Sequence, residues 1–133
     1  LVGSEMCIRD SCYTYYLLIH YLCTMQLENT KAQLRKGVLE LCILSILANE
    51  RKYASEILSH LKYAKLIVVE GTLYPLLTRL RAANYLTYEW EESKTGPPRK
   101  YYSITEEGKH FLSELAGSWN ELQHAVEQIT NPK

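Results

Sequence analysis

The strongest constraint on the fold is the block Glu70-Gly71-Thr72-Leu73-Tyr74-Pro75-Leu76-Leu77-Thr78-Arg79-Leu80. Leu73, Leu76, Leu77 and Leu80 recur at helical intervals and make one apolar stripe. Thr72, Tyr74, Thr78, Arg79 and, just beyond the block, Arg81 remain for the opposite side. A helix this short is marginal alone in water, so its leucines must lie on a core and its hydroxyl-and-arginine side must face out. With Thr72 as N-cap, Pro75 takes the third helical position, where an N–H would have had no partner in the helix.

The flanks supply that core. Residues 30–49 are predicted as a helix capped by Asn29 or Thr30, with Leu34, Val38, Leu41, Leu44 or Ser45, and Ala48 at helical spacing. Leu39, Ile43, Ile46 and Leu47 make its second half apolar nearly all round, the pattern of a central helix. Asn49–Lys52 reads as a loop, and a second helix covers 53–63 with Ala54, Ile57, Leu58 and Leu61 on one face. Residues 64–69 are strand-like in composition and join it to the Pro75 helix, whose end falls at Asn84, a residue that tolerates left-handed backbone. Then Leu86, Tyr88 and Trp90 alternate with Thr87, Glu89 and Glu91, residues 93–98 are turn chemistry, and 99–104 alternates again with Tyr102 and Ile104 facing in. That is a two-stranded hairpin carrying cations at Lys94, Arg99 and Lys100.

Thr105 is placed to cap a last helix, with Glu106 and Glu107 at the positive end of its dipole. Along it Leu112, Leu115, Trp119, Leu122, Val126 and Ile129 are spaced 3, 4, 3, 4 and 3 residues apart. This heptad-like seam calls for a partner helix, from a second subunit or from its own domain. The expected fold is mainly α with a small β hairpin: a winged helix-turn-helix over 25–104, a dimerisation helix over 105–129 and a short tail over 130–133.

Composition sets the remaining limits. At 133 residues and 47% apolar content, the chain has room for one small core and an added element. Fifteen basic side chains balance fifteen acidic ones, so only their distribution suggests a nucleic-acid partner. The cations cluster between Arg79 and Lys100, whereas Glu106, Glu107, Glu114, Glu121 and Glu127 fall on the last helix. Cys7, Cys12, Cys23 and Cys42 have no metal-type spacing and form no disulfide framework, which suits a reducing cytoplasm, and Cys42 reads as a buried structural thiol. His60, His110 and His124 form no ligand cluster, so neither metal nor cofactor is expected.

The first 24 residues are read separately. Residues 13–24 are apolar but too short to span a bilayer and lack secretory-signal features. Residues 5–11, Glu-Met-Cys-Ile-Arg-Asp-Ser, resemble the conceptual translation of a transposon-end adapter, so 1–24 is expected to be a non-native leader and Met25 the start. Removing it takes away Arg9, Glu5 and Asp10 and leaves 14 basic against 13 acidic side chains, still near neutrality.

Four stretches carry a resemblance in order and in register: Gly37-Val38-Leu39-Glu40, the Glu70–Leu80 block, Gly96-Pro97-Pro98-Arg99-Lys100-Tyr101-Tyr102, and Ile104-Thr105-Glu106-Glu107-Gly108. On these, residues 26–129 are similar to the PadR family of bacterial transcriptional regulators, in the shorter subgroup with one C-terminal helix. Ala54-Ser55 stands where the family often has Gly-Tyr, and Asn84 where many members carry Gly. The resemblance implies a homodimer with the Pro75 helix in the major groove and the wing near the minor groove or backbone.

Physical chemistry assigns compatible roles. Thr72, Tyr74 and Thr78 offer hydroxyls, while Arg79 and Arg81 offer phosphate or guanine contacts. Arg79 reads equally as an intramolecular ion-pair partner, and Thr72 as a cap. Lys94, Arg99 and Lys100 on the wing would meet phosphate or the minor groove, and Lys36, with Lys31 and Arg35, flanking phosphates or only solvent. Trp119 is either a filler of the dimer seam or a surface on which a small aromatic effector stacks, as in some relatives. An enzyme is not expected, for want of a phosphate loop, a nucleophile–base pair or an apolar carboxylate pair. The competing reading is a winged helix used for protein–protein contact. Repression is expected, since a compact dimer acts most simply by occlusion.

Overall fold

The computed structural model describes residues 2–132, with side chains from Asp10 onward. Cys7, most of the adapter-like stretch and Lys133 of the tail lie outside those described side chains. Seven elements follow in order: α1 (Val2–Asn49), β1 (Lys52–Tyr53), α2 (Ala54–Tyr63), α3 (Glu70–Ala82), β2 (Leu86–Glu91), β3 (Arg99–Ile104) and α4 (Glu106–Thr130). The fold is mainly helical with one small antiparallel sheet. The chain divides into two units, residues 1–37 and 38–133.

The first unit is helix. Neither Asn29 nor Thr30 starts it: the Thr30 hydroxyl donates to the Gln26 carbonyl at 3.0 Å, as Thr24 does to His20 at 2.7 Å. Nothing between Ser11 and Glu28 breaks a helix, so the ladder runs through the expected cap. Tyr13, Tyr16, Leu17, Leu22 and their neighbours in this stretch are exposed.

The second unit holds the core. Leu39, Ile43, Leu44 and Leu47 of α1 meet Ile57 and Leu61 of α2 and Leu73, Leu77 and Leu80 of α3, closed by Leu86 and Tyr102 from the sheet. Seven of these side chains are shielded almost completely, and truncating any such leucine costs about 2–5 kcal/mol. Ser45 is exposed and its hydroxyl donates to the Leu41 carbonyl, which settles the choice between Leu44 and Ser45 in favour of leucine.

Helices α2 and α3 end alike. Lys65 and Asn84 adopt φ of 61° and 62°. Around Lys65, Leu66 N–H donates to Leu61 and Lys65 N–H to Lys62; around Asn84, Tyr85 N–H donates to Leu80 and Asn84 N–H to Arg81. Each is a Schellman closure with an apolar residue folding back onto the core. The closure after α2 explains why 64–69 is not a strand despite its composition.

Helix α3 begins earlier than its sequence suggested. Val69 is the N-cap and Glu70 the first residue, so Thr72 is inside the helix and Pro75 is its sixth residue. The proline removes a partner from the Gly71 carbonyl, and Gly71 is exposed, leaving that carbonyl within reach of water.

The sheet order is β1-β3-β2, with Leu86 opposite Ile104, Tyr88 opposite Tyr102 and Trp90 opposite Lys100. Strand β1, expected as loop and helix start, pairs Tyr53 with Tyr101 and makes the hairpin three-stranded. Helix α4 starts as expected: the Thr105 hydroxyl accepts from Gly108 N–H at 2.9 Å and donates to the Asn84 carbonyl at 2.6 Å. Phe111 stacks on Tyr85 with centroids 4.3 Å apart. The last helix is thereby fixed to the turn that ends α3.

Candidate nucleic-acid interface

Burial separates the two sides of α3. Leu73, Leu77 and Leu80 are buried, whereas Tyr74, Pro75, Thr78, Arg79 and Arg81 are exposed and Thr72 is half-buried. The middle of the outer face is built of compact side chains, and the Thr78 hydroxyl donates back to the Tyr74 carbonyl at 2.9 Å. The two arginines lie toward its borders, and each has a partner. Arg79 pairs with Glu40 of α1, so the intramolecular reading of Arg79 is the one drawn in the structure. Arg81 lies over the Tyr88 ring, 4.8 Å from its centroid.

The wing cations are also held. Lys100 lies 4.6 Å from the Tyr88 ring and 5.0 Å from the Trp90 ring, and Arg99 lies 4.7 Å from the Tyr53 ring. Such contacts contribute about 0.5–1 kcal/mol each at exposed sites, enough to order a long side chain without neutralising its charge. Lys94, in the β2–β3 turn, is exposed and has no ion pair or ring contact among the described residues. Lys36 is exposed and belongs to the first unit, residues 1–37.

Tyr74 and the wing border one cleft of about 440 Å³, between Ala54–Ser55 at the start of α2 and Trp90, Arg99 and Lys100 of the hairpin. Its wall combines an exposed indole, the phenols of Tyr53, Tyr74 and Tyr102, and two cations. That mixture suits an anionic chain with flat groups attached, and it has no feature of a catalytic site.

Two features of the site escaped the sequence. Arg51 reaches Glu91 at 3.1 Å and Glu89 at 3.8 Å, so an exposed arginine offsets the carboxylates on the wing's outer face. Tyr88 and Trp90, read only as one face of a strand, carry the cations on their rings. The strand alternation placed them correctly but gave no sign of what would lie over them. Tyr102, by contrast, is buried as expected, and burial, with Tyr74 and Tyr88 nearby, pushes its hydroxyl above the ordinary tyrosine range.

Burial likewise raises the Cys42 thiol, keeping it protonated, while Cys12 and Cys23 are exposed. Among the described residues no group of His, Cys, Asp or Glu is arranged to hold a metal ion. No described helix is long and apolar enough to cross a membrane.

The family model described as "Transcriptional regulator PadR-like family" matches residues 43–114. This chain belongs to that family. The matched span runs from the last two turns of α1 through α3 and the hairpin into α4, so it contains α3 and the wing but not Lys36 or Glu40. Among solved structures, a PadR-like transcription factor from Bacteroides fragilis is 58% identical, with 76% of this chain and 98% of that one aligned at a TM-score of 0.65. A PadR-like transcriptional regulator from Bacillus cereus is 36% identical over 76% and 99% of the two chains, with a TM-score of 0.68. A PadR family regulator from Eggerthella lenta is 31% identical over 80% and 94%, with a TM-score of 0.74. The protein is therefore a DNA-binding, winged-helix transcriptional regulator of the PadR family and not an enzyme.

The C-terminal helix of this PadR-like regulator is divided along its length. Leu112 packs on the domain's own core with Phe111. Beyond half-buried Leu115, Trp119, Leu122, Val126 and Ile129 are all exposed, Ile129 to 78%.

Proposed function

We propose that this regulator is a cytoplasmic homodimeric repressor that binds an inverted-repeat operator. Each subunit places α3 in the major groove, with Thr72, Tyr74, Thr78 and Arg81 toward it, and sets Lys94, Arg99 and Lys100 against the minor groove or backbone. The observation that carries this reading is the shared cleft: Tyr74 of α3 and Arg99 and Lys100 of the wing border one concave surface. Arg79 serves mainly to hold α3 against α1 through Glu40.

The dimer is formed through the exposed row on α4. Leu115, Trp119, Leu122, Val126 and Ile129 keep the 3–4 spacing of a two-helix seam, and a row left in water forfeits the burial that a partner helix would give. With Trp119 as a filler of that seam, two recognition helices would be related by a two-fold axis, and half-sites would lie about one helical turn of DNA, or a multiple, apart.

The test is to incubate the purified full chain with fragmented genomic DNA of its source, sequence the retained fragments and determine the mass of the complex. An enriched inverted repeat bound by two chains supports the reading. No enrichment, even at low salt, overturns it in favour of a winged helix that docks a protein.

A further inference from the structure

Resting on the DNA-binding reading, we infer that Tyr88 is a positioning residue that holds Arg81 of the recognition helix and Lys100 of the wing in the posture that meets DNA. Tyr88 belongs to neither α3 nor the basic strand, yet its ring is shared by a cation from each, at 4.8 Å and 4.6 Å. The ring is itself fixed. Trp90 meets it edge-on with centroids 6.4 Å apart, and buried Tyr102 lies against it at 6.1 Å.

The chemistry of the contact suits an anion-binding role. A guanidinium over a ring engages it through its face and leaves N–H donors in its own plane free. A lysine ammonium over a ring likewise keeps donors on its far side. Both cations thus stay able to bind phosphate while losing part of the rotamer freedom that DNA binding would otherwise remove. An ion pair does this less well, because the carboxylate takes up part of the guanidinium's donors and offsets its charge, as Glu40 does for Arg79. The two cations differ in one respect. Lys100 also lies 5.0 Å from the Trp90 ring, whereas Tyr88 is the one ring over which Arg81 lies among the described residues. Loss of the Tyr88 ring should therefore fall mainly on Arg81.

The experiment uses the full chain and a duplex that the wild type retains from fragmented source DNA, with affinity measured by fluorescence anisotropy. Tyr88→Leu keeps an apolar side chain at this half-buried position and removes the ring. It should weaken binding roughly two- to fivefold per subunit, the worth of one exposed cation–π contact. Tyr88→Phe keeps the ring and should bind within about twofold of wild type. A double-mutant cycle separates positioning from mere folding: Arg81→Ala should cost much less in the Tyr88→Leu background than in wild type. Equal cost of Arg81→Ala in both backgrounds, or wild-type affinity of Tyr88→Leu, would overturn the inference while leaving DNA binding intact. If the wild type itself retains no DNA, the DNA-binding reading fails first and takes this inference with it. Should Tyr88→Leu not fold, NMR of the wild type decides. Arg81 side-chain protons shifted upfield by the ring, and still shifted in the DNA complex, support the inference; unshifted protons overturn it.

Discussion

Gly108 offers a sharp test of how α4 is fixed to the DNA-binding domain. A Cβ built there would lie 2.2 Å from the Tyr85 carbonyl oxygen and 2.8 Å from Ile104 Cγ1, closer than real side chains approach. The obstruction is backbone and cannot swing away: the Tyr85 carbonyl already accepts from Thr105 N–H at 3.0 Å. Gly108→Ala must therefore push the first turn of α4 off the Asn84–Tyr85 turn, straining the Thr105 cap and the Tyr85–Phe111 stack. Overpacking costs about 1–3 kcal/mol, and a rigid neighbour places this case at the upper end. Better helix propensity returns up to ~1 kcal/mol, which leaves a net loss of about 2 kcal/mol. For a domain of this size that lowers Tm by roughly 8–16 °C. Gly117 is the control on the same helix. Nothing lies within 4 Å of a Cβ there, so Gly117→Ala should raise Tm by a few degrees. Circular dichroism melts of both variants test the pair. A Gly108→Ala melt within about 2 °C of wild type would refute the close approach.

Other perturbations follow from the same structure. Lys94→Ala should weaken binding about equally on all sequences and reduce the slope of log K against log salt by ~0.9 per subunit, ~1.8 for the dimer, measured by anisotropy across a salt series; an unchanged slope removes Lys94 from the contacts. The raised Tyr102 hydroxyl favours its neutral form in the fold. Its contribution is complete below about pH 10, the ordinary tyrosine value, and is lost as pH rises through the higher native value. Denaturant midpoints should fall at alkaline pH, and Tyr102→Phe should flatten part of that fall. Leu122→Lys, on the exposed part of α4, should halve the mass seen by sedimentation while leaving the melt of the core nearly unchanged.

Local rules made much of the fold legible. Thr105 caps because its hydroxyl is one turn ahead of Gly108 N–H, and Asn84 takes a left-handed φ because its side chain tolerates it. Hydrophobic period 3.6 gave the buried side of α3, and period 2 gave the faces of the hairpin, with Leu86, Tyr88 and Trp90 together and Tyr102 and Ile104 facing in. The register, Tyr88 opposite Tyr102 and Trp90 opposite Lys100, is fixed by the pairing itself. Lys65 was opaque for the converse reason. Nothing in a lysine announces a left-handed residue, so the turn after α2 was hidden beneath the β-branched run Ile67-Val68-Val69. Strand β1 is two residues long, too short for any period, and exists only because β3 offers an edge.

The site was legible as a set of charges, not as a set of contacts. Arg79, Arg81, Arg99 and Lys100 were visible as cations near one helix and one hairpin. Which of them met a carboxylate and which a ring depends on side chains 7 to 46 positions away, Lys100 on Tyr88 and Arg99 on Tyr53 among them, and no spacing rule reaches that far. Glu40 and Arg79 lie on separate helices, 39 positions apart, and only the packing of α1 on α3 brings them together.

The claim that the outer face of α3 reads DNA is tested most directly at Thr78, which is exposed and central on that face. Thr78→Glu puts a negative charge there without touching the core, and glutamate is a good helix former. The folded variant should lose roughly a hundredfold in affinity for the duplex retained by wild type, measured by anisotropy at one fixed salt concentration. Wild-type affinity in Thr78→Glu would contradict the claim and move the DNA to another surface of the molecule.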